Sequence, residues 1–180
     1  MKESNKNNFN HLKIHSQYSI CEGAIKIDQL KDYCKTNKIK SLGISDTYNL
    51  SGALEFSENL SSIGTQPIIG TQILIKFKET FGLLPLIAKN IEGYKNIIEL
   101  SSKSYLENDS ISEPHCSFDD ILKKNNGIIV LSGSITNLIG KLFNAGLFDD
   151  IDFIYKKLLE KFENNFYLEI QRHNDQNEKL

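Results

Sequence analysis

The chain has 180 residues and a mass of 20.5 kDa, which is the size of one domain. Apolar residues make up 39% and charged residues 24% of it, the balance of a soluble globular protein rather than a disordered one. The 21 basic and 23 acidic residues give a net charge of −2, and Arg172 is the only arginine. This charge argues against a nucleic-acid-binding module that depends on a strong positive field.

Two features of the sequence bear on the cellular location of the protein. No apolar run is long enough to cross a bilayer, and the polar N-terminus lacks the apolar core of a signal peptide. Cys21, Cys34 and Cys116 form no C-x-x-C pair, so we interpret them as free thiols in a reducing compartment. The sequence therefore predicts a cytoplasmic protein with no membrane partner.

Short apolar runs alternate with amphipathic stretches, between a predicted disordered tail at residues 1–9 and a polar tail at residues 175–180. The short apolar runs predict strands. The amphipathic stretches predict helices, because their apolar residues recur every three to four positions. The capping-box pattern of Ser117 and Asp120 predicts a short helix that begins there. The predicted strands are residues 11–16, 41–46, 67–76, 83–89, 127–132 and 166–171, and the longer predicted helices are residues 27–37, 51–62, 91–106 and 149–162.

The alternation of strands and helices predicts an α/β fold with parallel strands and helices outside the sheet. Pro85 places the fourth predicted strand at an edge or a bulge. A closed eight-stranded barrel usually needs about 250 residues, so six strands indicate an open sheet or a barrel that this chain does not complete. Such sheets carry their chemistry at the carboxyl ends of the strands, which are therefore the places to search for a site.

Three predicted strand ends carry metal-binding side chains, namely His15, Asp46 and His173. Imidazole and carboxylate together suit zinc, manganese or iron, and the three residues would converge at one rim of a parallel barrel. A hydrogen-bonded structural role is the alternative, and the residues alone leave it open. Lys13 shares a strand face with His15, and its ammonium group is a poor ligand that repels cations.

Several segments of the sequence occur in the order of a known domain. The segment AKN-x-x-GY-x-N at residues 88–96 is the most telling, because it lies outside the strand ends that would carry a site. On these segments the chain resembles the N-terminal PHP (polymerase and histidinol phosphatase) domain of bacterial DNA polymerase III alpha subunits. The matching segments are HLKIHSQYSICEGAIKI, LGISDTYNLSGALEF, QPIIGTQ, LIAKNIEGYKNIIELSSKSYLE, GIIVLSG and FYLEIQRH.

The resemblance implies a distorted, TIM-like (βα) barrel of seven strands over residues 10–174, with the last strand missing from this chain. It implies that the parent protein is a replicative DNA polymerase whose palm domain, the part that synthesises DNA, lies beyond this chain. The rest of the alpha subunit and the proofreading exonuclease subunit of the replicase are then the expected partners. DNA would be contacted only through the parent protein.

The resemblance also implies the positions of metal ligands, of which His15, Asp46 and His173 are retained. A metal cluster needs anionic or imidazole ligands to offset its charge and to lower the pKa of bound water. We therefore expect a vestigial site without catalytic residues or cofactor, in which the Lys13 ammonium lies near Asp46 in place of a metal. The substituted ligand positions are Lys13, Thr47, Gln72, Leu83 and Ser134.

Three functions remain open on the sequence alone. The first is a structural module that braces the polymerase and docks the proofreading exonuclease subunit, and the substituted ligand positions favour it. The second is a residual phosphoesterase or 3′–5′ exonuclease with zinc or manganese at His15, Asp46 and His173. The third is a PHP protein unrelated to polymerases, which the AKN-x-x-GY segment disfavours. Whether this chain is itself an enzyme stays open.

Overall fold

The computed structural model describes residues 9–108 and 111–172. The predictions for His173, for residues 1–8 of the N-terminal tail and for the C-terminal tail lie outside the described residues. Within the described part of the chain, six strands form one mixed sheet against which the helices pack. The strands are Ser41–Thr47 (β1), Gln66–Phe77 (β2), Thr80–Ala88 (β3), Cys116–Ser117 (β4), Ile128–Leu131 (β5) and Phe166–Tyr167 (β6). The helices are Ile27–Asn37 (α1), Ala53–Ser61 (α2), Ile91–Leu106 (α3), Phe118–Lys123 (α4), Leu138–Asn144 (α5) and Phe148–Phe162 (α6), followed by a 3₁₀ turn at Glu163–Asn165.

The strand order is β1-β2-β3-β5-β6, with β4 paired to β2 beyond the end of β1. The α/β class is confirmed, but the expectation of an all-parallel sheet is wrong, because β3 runs antiparallel to β2 and β5. Only Lys78 and Glu79 separate β3 from β2, and a parallel connection needs a dozen or more residues. Over the described residues the sheet does not close into a barrel.

Pro85 lies in β3, an interior strand that pairs with β2 in a continuous register, so the prediction of an edge or a bulge is wrong. It faces Gln72 of β2, while the pairing of β3 with β5 begins at the next residue, Leu86. Proline has no backbone N–H to donate. The strand tolerates Pro85 because β5 pairs only with Leu86 to Ala88, so no strand needs a backbone donor from Pro85 on that side.

Residues 11–16, the first predicted strand, form an extended segment along the free edge of β1 rather than a regular strand. Ile14 forms a parallel bridge with Ile44 of β1. A Cβ atom on Gly43 would lie 2.7 Å from the Cα atom of Leu12, so this close approach requires glycine. The segment continues the sheet beyond β1 and presents its odd-numbered side chains on one face.

The helix predictions are confirmed where the apolar periodicity is clear. Helix α1 spans the predicted residues and buries Ile27, Leu30 and Cys34. The capping box forms as predicted, since the Ser117 hydroxyl accepts from the Asp120 backbone N–H and the Asp120 carboxylate accepts from that of Ser117. Helix α5 was not predicted, and β6 has two residues where six were predicted, because its partner β5 ends early.

Two apolar clusters hold the helices against the sheet. The larger lies between α3 to α6 and strands β2, β3 and β5, and the smaller packs α1 and α2 against β1. Fully burying each large apolar side chain contributes about 1.5–3 kcal/mol. No helix in the described ranges is long and apolar enough to span a membrane. The largest fully buried side chains include Phe56, Phe162, Ile27, Leu42, Leu60, Ile75, Leu84 and Leu86.

Candidate functional site

The candidate site lies where residues 11–16 and strand β1 end next to the middle of strand β2. Thr47 is the last residue of β1, and it is paired with Gln72 of β2, so the two side chains share one face of the sheet. His15 stands at the end of the extended segment next to β1 and contacts Gln72. The fold thus brings together three of the residues singled out from the sequence.

The imidazole ring of His15 is held at both nitrogen atoms. The Nε2 atom lies 3.3 Å from Gln72 Nε2, and Nδ1 lies 3.3 Å from Ser19 Oγ and 3.5 Å from Glu22 Oε2. An amide NH₂ group can only donate, so His15 Nε2 accepts from Gln72 and the unprotonated ring carries its hydrogen on Nδ1. The Nε2 lone pair, which could otherwise bind a metal, is therefore directed at an amide donor.

Gln72 is buried and uses both atoms of its amide group. Its Nε2 lies 3.3 Å from Thr47 Oγ1, and its Oε1 accepts from Asn137 Nδ2 at 3.3 Å. Asn137 Nδ2 can only donate, so the contact with Asn137 agrees with the amide orientation in which Gln72 Nε2 faces His15. An amide at this position donates to its neighbours, whereas a carboxylate would only accept from them.

Asp46 is 2% exposed, and both of its carboxylate oxygens are engaged. Oδ1 accepts from Ser16 N at 2.6 Å and from Ser19 Oγ at 2.6 Å, while Oδ2 accepts from Ser16 Oγ at 2.8 Å. Alternation along β1 places Asp46 on the face of Ile44, toward the helices, and Thr47 on the opposite face. Asp46 therefore anchors the loop after residue 16.

Lys13 does not neutralise Asp46, so that expectation is wrong. Its Nζ lies 2.7 Å from Glu169 Oε1, and the two side chains are only 17% and 16% exposed. The hydrogen bonds from Ser16 and Ser19 already satisfy the Asp46 carboxylate. The lysine instead pairs with the carboxylate that the segment after β6 brings to it.

The other ligand positions named from the sequence lie further out. Leu83 is half-buried in β3, opposite neither Gln72 nor Thr47 in the strand register. Ser134, in the loop after β5, donates to Asn137 Oδ1 at 2.8 Å and so reaches Gln72 only through Asn137. His173 lies outside the described residues, and the structure does not test its role.

Sequence reasoning missed Ser19, Glu22 and Asn137. Ser19 Oγ joins His15 to Asp46, and Glu22 Oε2 accepts from Thr47 Oγ1 at 2.5 Å. All three missed residues lie in loops that follow an extended segment or a strand. A search for polar side chains in every such loop would have found them, because functional groups concentrate in loops at strand ends.

Two tyrosines stand at the rim of the site. Tyr18 Oη donates to Glu55 Oε2 at 2.7 Å, and Tyr48 Oη donates to Glu113. The hydrogen bond to Glu55 raises the pKa of Tyr18, and burial together with the bond to Glu113 raises the pKa of Tyr48. Because their pKa values are raised, both hydroxyls remain donors and hold the glutamates in place. Tyr48 also has a φ of 67°, a conformation that bulky residues rarely adopt.

The described residues around His15 and Asp46 form hydrogen bonds mainly with one another. Within residues 9–108 and 111–172, no three His, Cys, Asp or Glu side chains lie together in a way that could hold an ion. His15 faces the Gln72 amide, and Asp46 is occupied by serine donors. The arrangement can join and orient loops through hydrogen bonds.

Comparison with known proteins confirms the resemblance drawn from the sequence. The DNA polymerase III alpha subunit of Caulobacter vibrioides is 35% identical over 181 residues, which cover 96% of this chain and 16% of that protein. The alpha subunit of Borreliella burgdorferi is 36% identical over 176 residues, which cover 92% of this chain and 15% of that protein. The chain thus spans about a sixth of the length of these relatives.

A solved structure from Bifidobacterium adolescentis, described as a candidate metal-dependent phosphoesterase, covers 82% of this chain and 54% of its own. It shares 16% sequence identity with this chain, and the TM-score is 0.39.

Residues 11–173 match the profile of the PHP domain, which accounts for nearly the whole chain. The chain therefore belongs to the PHP domain family and is homologous to the N-terminal region of DNA polymerase III alpha subunits.

Proposed function

We propose that this PHP domain is part of a replicative DNA polymerase III alpha subunit and serves there as a structural and docking module rather than as a hydrolase. The contact between Gln72 Nε2 and His15 Nε2 carries the proposal. It places an amide donor on the imidazole nitrogen that a metal would use, so the hydrogen-bond network stands in place of a metal cluster.

The charge around this contact supports the same conclusion. A two-metal hydrolytic site holds ions about 3.5–4 Å apart and needs several anionic ligands to do so. Of the described residues that hydrogen-bond or ion-pair with the side chains of His15, Thr47 and Gln72, Glu22 alone has a carboxylate, and it accepts from the Thr47 hydroxyl. One carboxylate does not offset the charge of two divalent ions.

The same network gives the domain a rigid face, which suits docking. Hydrogen bonds run from Glu22 through Thr47 and Gln72 to Asn137 and Ser134. They join the loop after residues 11–16 and the loop after β5 through Thr47 of β1 and Gln72 of β2. A face ordered before binding loses little conformational entropy when a partner binds. We propose the rest of the alpha subunit and the proofreading exonuclease subunit as partners, with DNA contacted only through the whole polymerase.

Metal titration tests the loss of the metal site. The chain is stripped with a chelator and titrated with zinc or manganese by calorimetry, followed by elemental analysis after gel filtration. We expect no stoichiometric binding by the wild type. A variant with ligands restored at the substituted positions is the positive control and should bind at least one ion. It carries the changes K13H, T47H, Q72E, L83H and S134C.

An activity assay separates this proposal from a residual phosphoesterase. Phosphate release from p-nitrophenyl phosphate is measured with added manganese for the wild type and for His15→Ala. Turnover that depends on manganese and disappears in His15→Ala would replace the docking proposal with an enzymatic one. Equal background in both proteins, together with direct binding of the purified exonuclease subunit to the wild type, is the expected result.

A further inference from the structure

Three loop segments around the site each combine an exposed aliphatic side chain with a nearby glutamate. The segments are residues 17–25, 47–55 and 111–115, of which the second includes the last residue of β1 and the first turn of α2. We call the surface that these loops form the rim surface. The aliphatic side chains of all three loops project into solvent. The pairs are Ile20 with Glu22, Leu54 with Glu55, and Ile111 with Glu113, and the aliphatic residues are 85%, 69% and 97% exposed.

Hydroxyl groups tie these loops into one continuous surface. Each glutamate accepts from a hydroxyl of a neighbouring loop, so the three loops hold one another in place. Asn49 Nδ2 adds a further link, because it donates to the carbonyl of Tyr18 at 2.9 Å. The hydroxyl contacts are Tyr18 to Glu55, Thr47 to Glu22 and Tyr48 to Glu113.

The rim surface is acidic as well as apolar. None of its residues is a lysine or an arginine, although the chain has 21 basic residues elsewhere. A carboxylate can accept through both of its oxygens, so a glutamate that is oriented by one hydroxyl can still accept from a second donor. A partner that covers these carboxylates must supply positive groups, because a buried charge without a partner is costly.

We propose that the rim surface is the docking face for a protein segment in which lysine or arginine side chains lie next to aliphatic ones. This inference rests on the proposed docking function and names the surface that performs it. Nucleic acid does not fit, because its phosphates would be repelled by the glutamates. A second copy of the chain does not fit either, since a symmetric contact would bring like charges together.

Binding of the purified proofreading exonuclease subunit to the full chain tests the inference. The variant E22Q/E55Q/E113Q removes the rim charges while retaining an acceptor for each hydroxyl, so the loops keep their structure. We expect roughly tenfold weaker binding or more, since each exposed ion pair contributes a factor of about two to five. Added salt should weaken the wild-type complex more than that of the variant.

Two further variants make the result specific. The variant I20S/L54S/I111S removes the apolar half of the surface and should also weaken binding. The variant E79Q/E92Q/E163Q removes three exposed carboxylates from other parts of the molecule and should bind like the wild type. Overlapping peptides of the exonuclease subunit should place the binding segment in a stretch that is both basic and aliphatic.

The outcomes distinguish the inference from the function on which it rests. Wild-type binding that all three variants retain overturns the rim surface as the docking face and leaves the docking function standing. A binding segment without basic residues also overturns the inference. Absence of wild-type binding overturns both the docking function and the inference.

Discussion

Lys13 Nζ lies 2.7 Å from Glu169 Oε1 and so joins the first extended segment to residues that follow β6, 156 positions later in the chain. Glu169 N also donates to Ser132 Oγ at 2.9 Å, which ties the same segment to the end of β5. A cavity of about 420 Å³ opens between the two segments. The ion pair therefore connects the two edges of the sheet, which stays open over residues 9–108 and 111–172.

The first prediction concerns this pair. Lys13→Met should lower the free energy of unfolding by about 2 kcal/mol, because it leaves a mostly buried carboxylate without a cation. Urea unfolding followed by circular dichroism measures the change. Glu169→Gln should cost a similar amount, and the double variant should cost less than the sum of the two. Additive costs would show that the two side chains do not interact.

The second prediction concerns the hydrogen position on His15. We expect the unprotonated ring to carry its hydrogen on Nδ1, because Nε2 accepts from Gln72. Long-range ¹H–¹⁵N correlation spectra report which nitrogen is protonated. Gln72→Leu removes the donor and should allow the other tautomer to appear. A wild-type spectrum with the hydrogen on Nε2 would contradict the assigned network.

The third prediction concerns Asp46. Asp46→Asn weakens the acceptor for Ser16 and Ser19 and should lower the free energy of unfolding by about 3 kcal/mol, since hydrogen bonds to buried charged groups are worth more than neutral ones. Asp32→Asn, an exposed change on α1, should have little effect and serves as the control. Equal stabilities of the two variants would mean that Asp46 does not anchor the loop.

The fourth prediction is a pH dependence at Asp120. Burial by itself raises the pKa of Asp120. The hydrogen bonds from Ser117 and Lys103 and the positive charge of Lys103 lower this pKa by a larger amount, so it lies below its usual value. The carboxylate therefore stabilises the fold above an unfolded-state pKa of about 3.9, and this contribution is lost as the pH falls through the lower folded-state value.

Asp120→Asn should accordingly destabilise the protein by about 1 kcal/mol at pH 7, through loss of the capping box. The difference from the wild type should shrink below about pH 4, where Asp120 begins to be protonated in the unfolded chain, and should be lost at lower pH, where Asp120 is protonated in the folded protein as well. Unfolding curves at several pH values test this. A difference that stays constant down to pH 2 would show that the charge of Asp120 contributes nothing.

The fifth prediction concerns thiol reactivity. Cys21 is exposed, while Cys34 and Cys116 are buried. Burial raises the pKa of Cys34 and raises that of Cys116 to about 12, so neither thiol forms the reactive thiolate near neutral pH. Iodoacetamide at pH 8 should label Cys21 in the folded protein and all three thiols in urea, as peptide mass spectrometry can show. Rapid labelling of Cys116 without urea would contradict the fold around β4.

Local patterns in the sequence determined the elements that depend on nearby residues. Helix α1 could be predicted because Ile27, Leu30 and Cys34 recur at helical spacing. Burial of this apolar face holds the helix against β1 and α2. The capping box of Ser117 and Asp120 needs only residues three positions apart. The family could be recognised because its motifs are also short and contiguous.

The site was only partly predictable, because its chemistry depends on partners from different strands. The family resemblance implies that Gln72 stands at a ligand position, but it does not show that the Gln72 amide donates to His15. The sequence also shows Lys13 and Asp46 without showing that they have separate partners. Hydrogen bonds form between groups within about 3.5 Å, and only the folded chain decides which groups come that close.

The sequence by itself determined the helices with a clear apolar period, the α/β class and the family of this protein, since all three follow from short-range spacing and contiguous motifs. The tertiary structure alone decided the pairing of Lys13 with Glu169 and the serine donors around Asp46. These contacts join residues that are distant in the chain, and their partners are selected by distance and burial in the folded molecule.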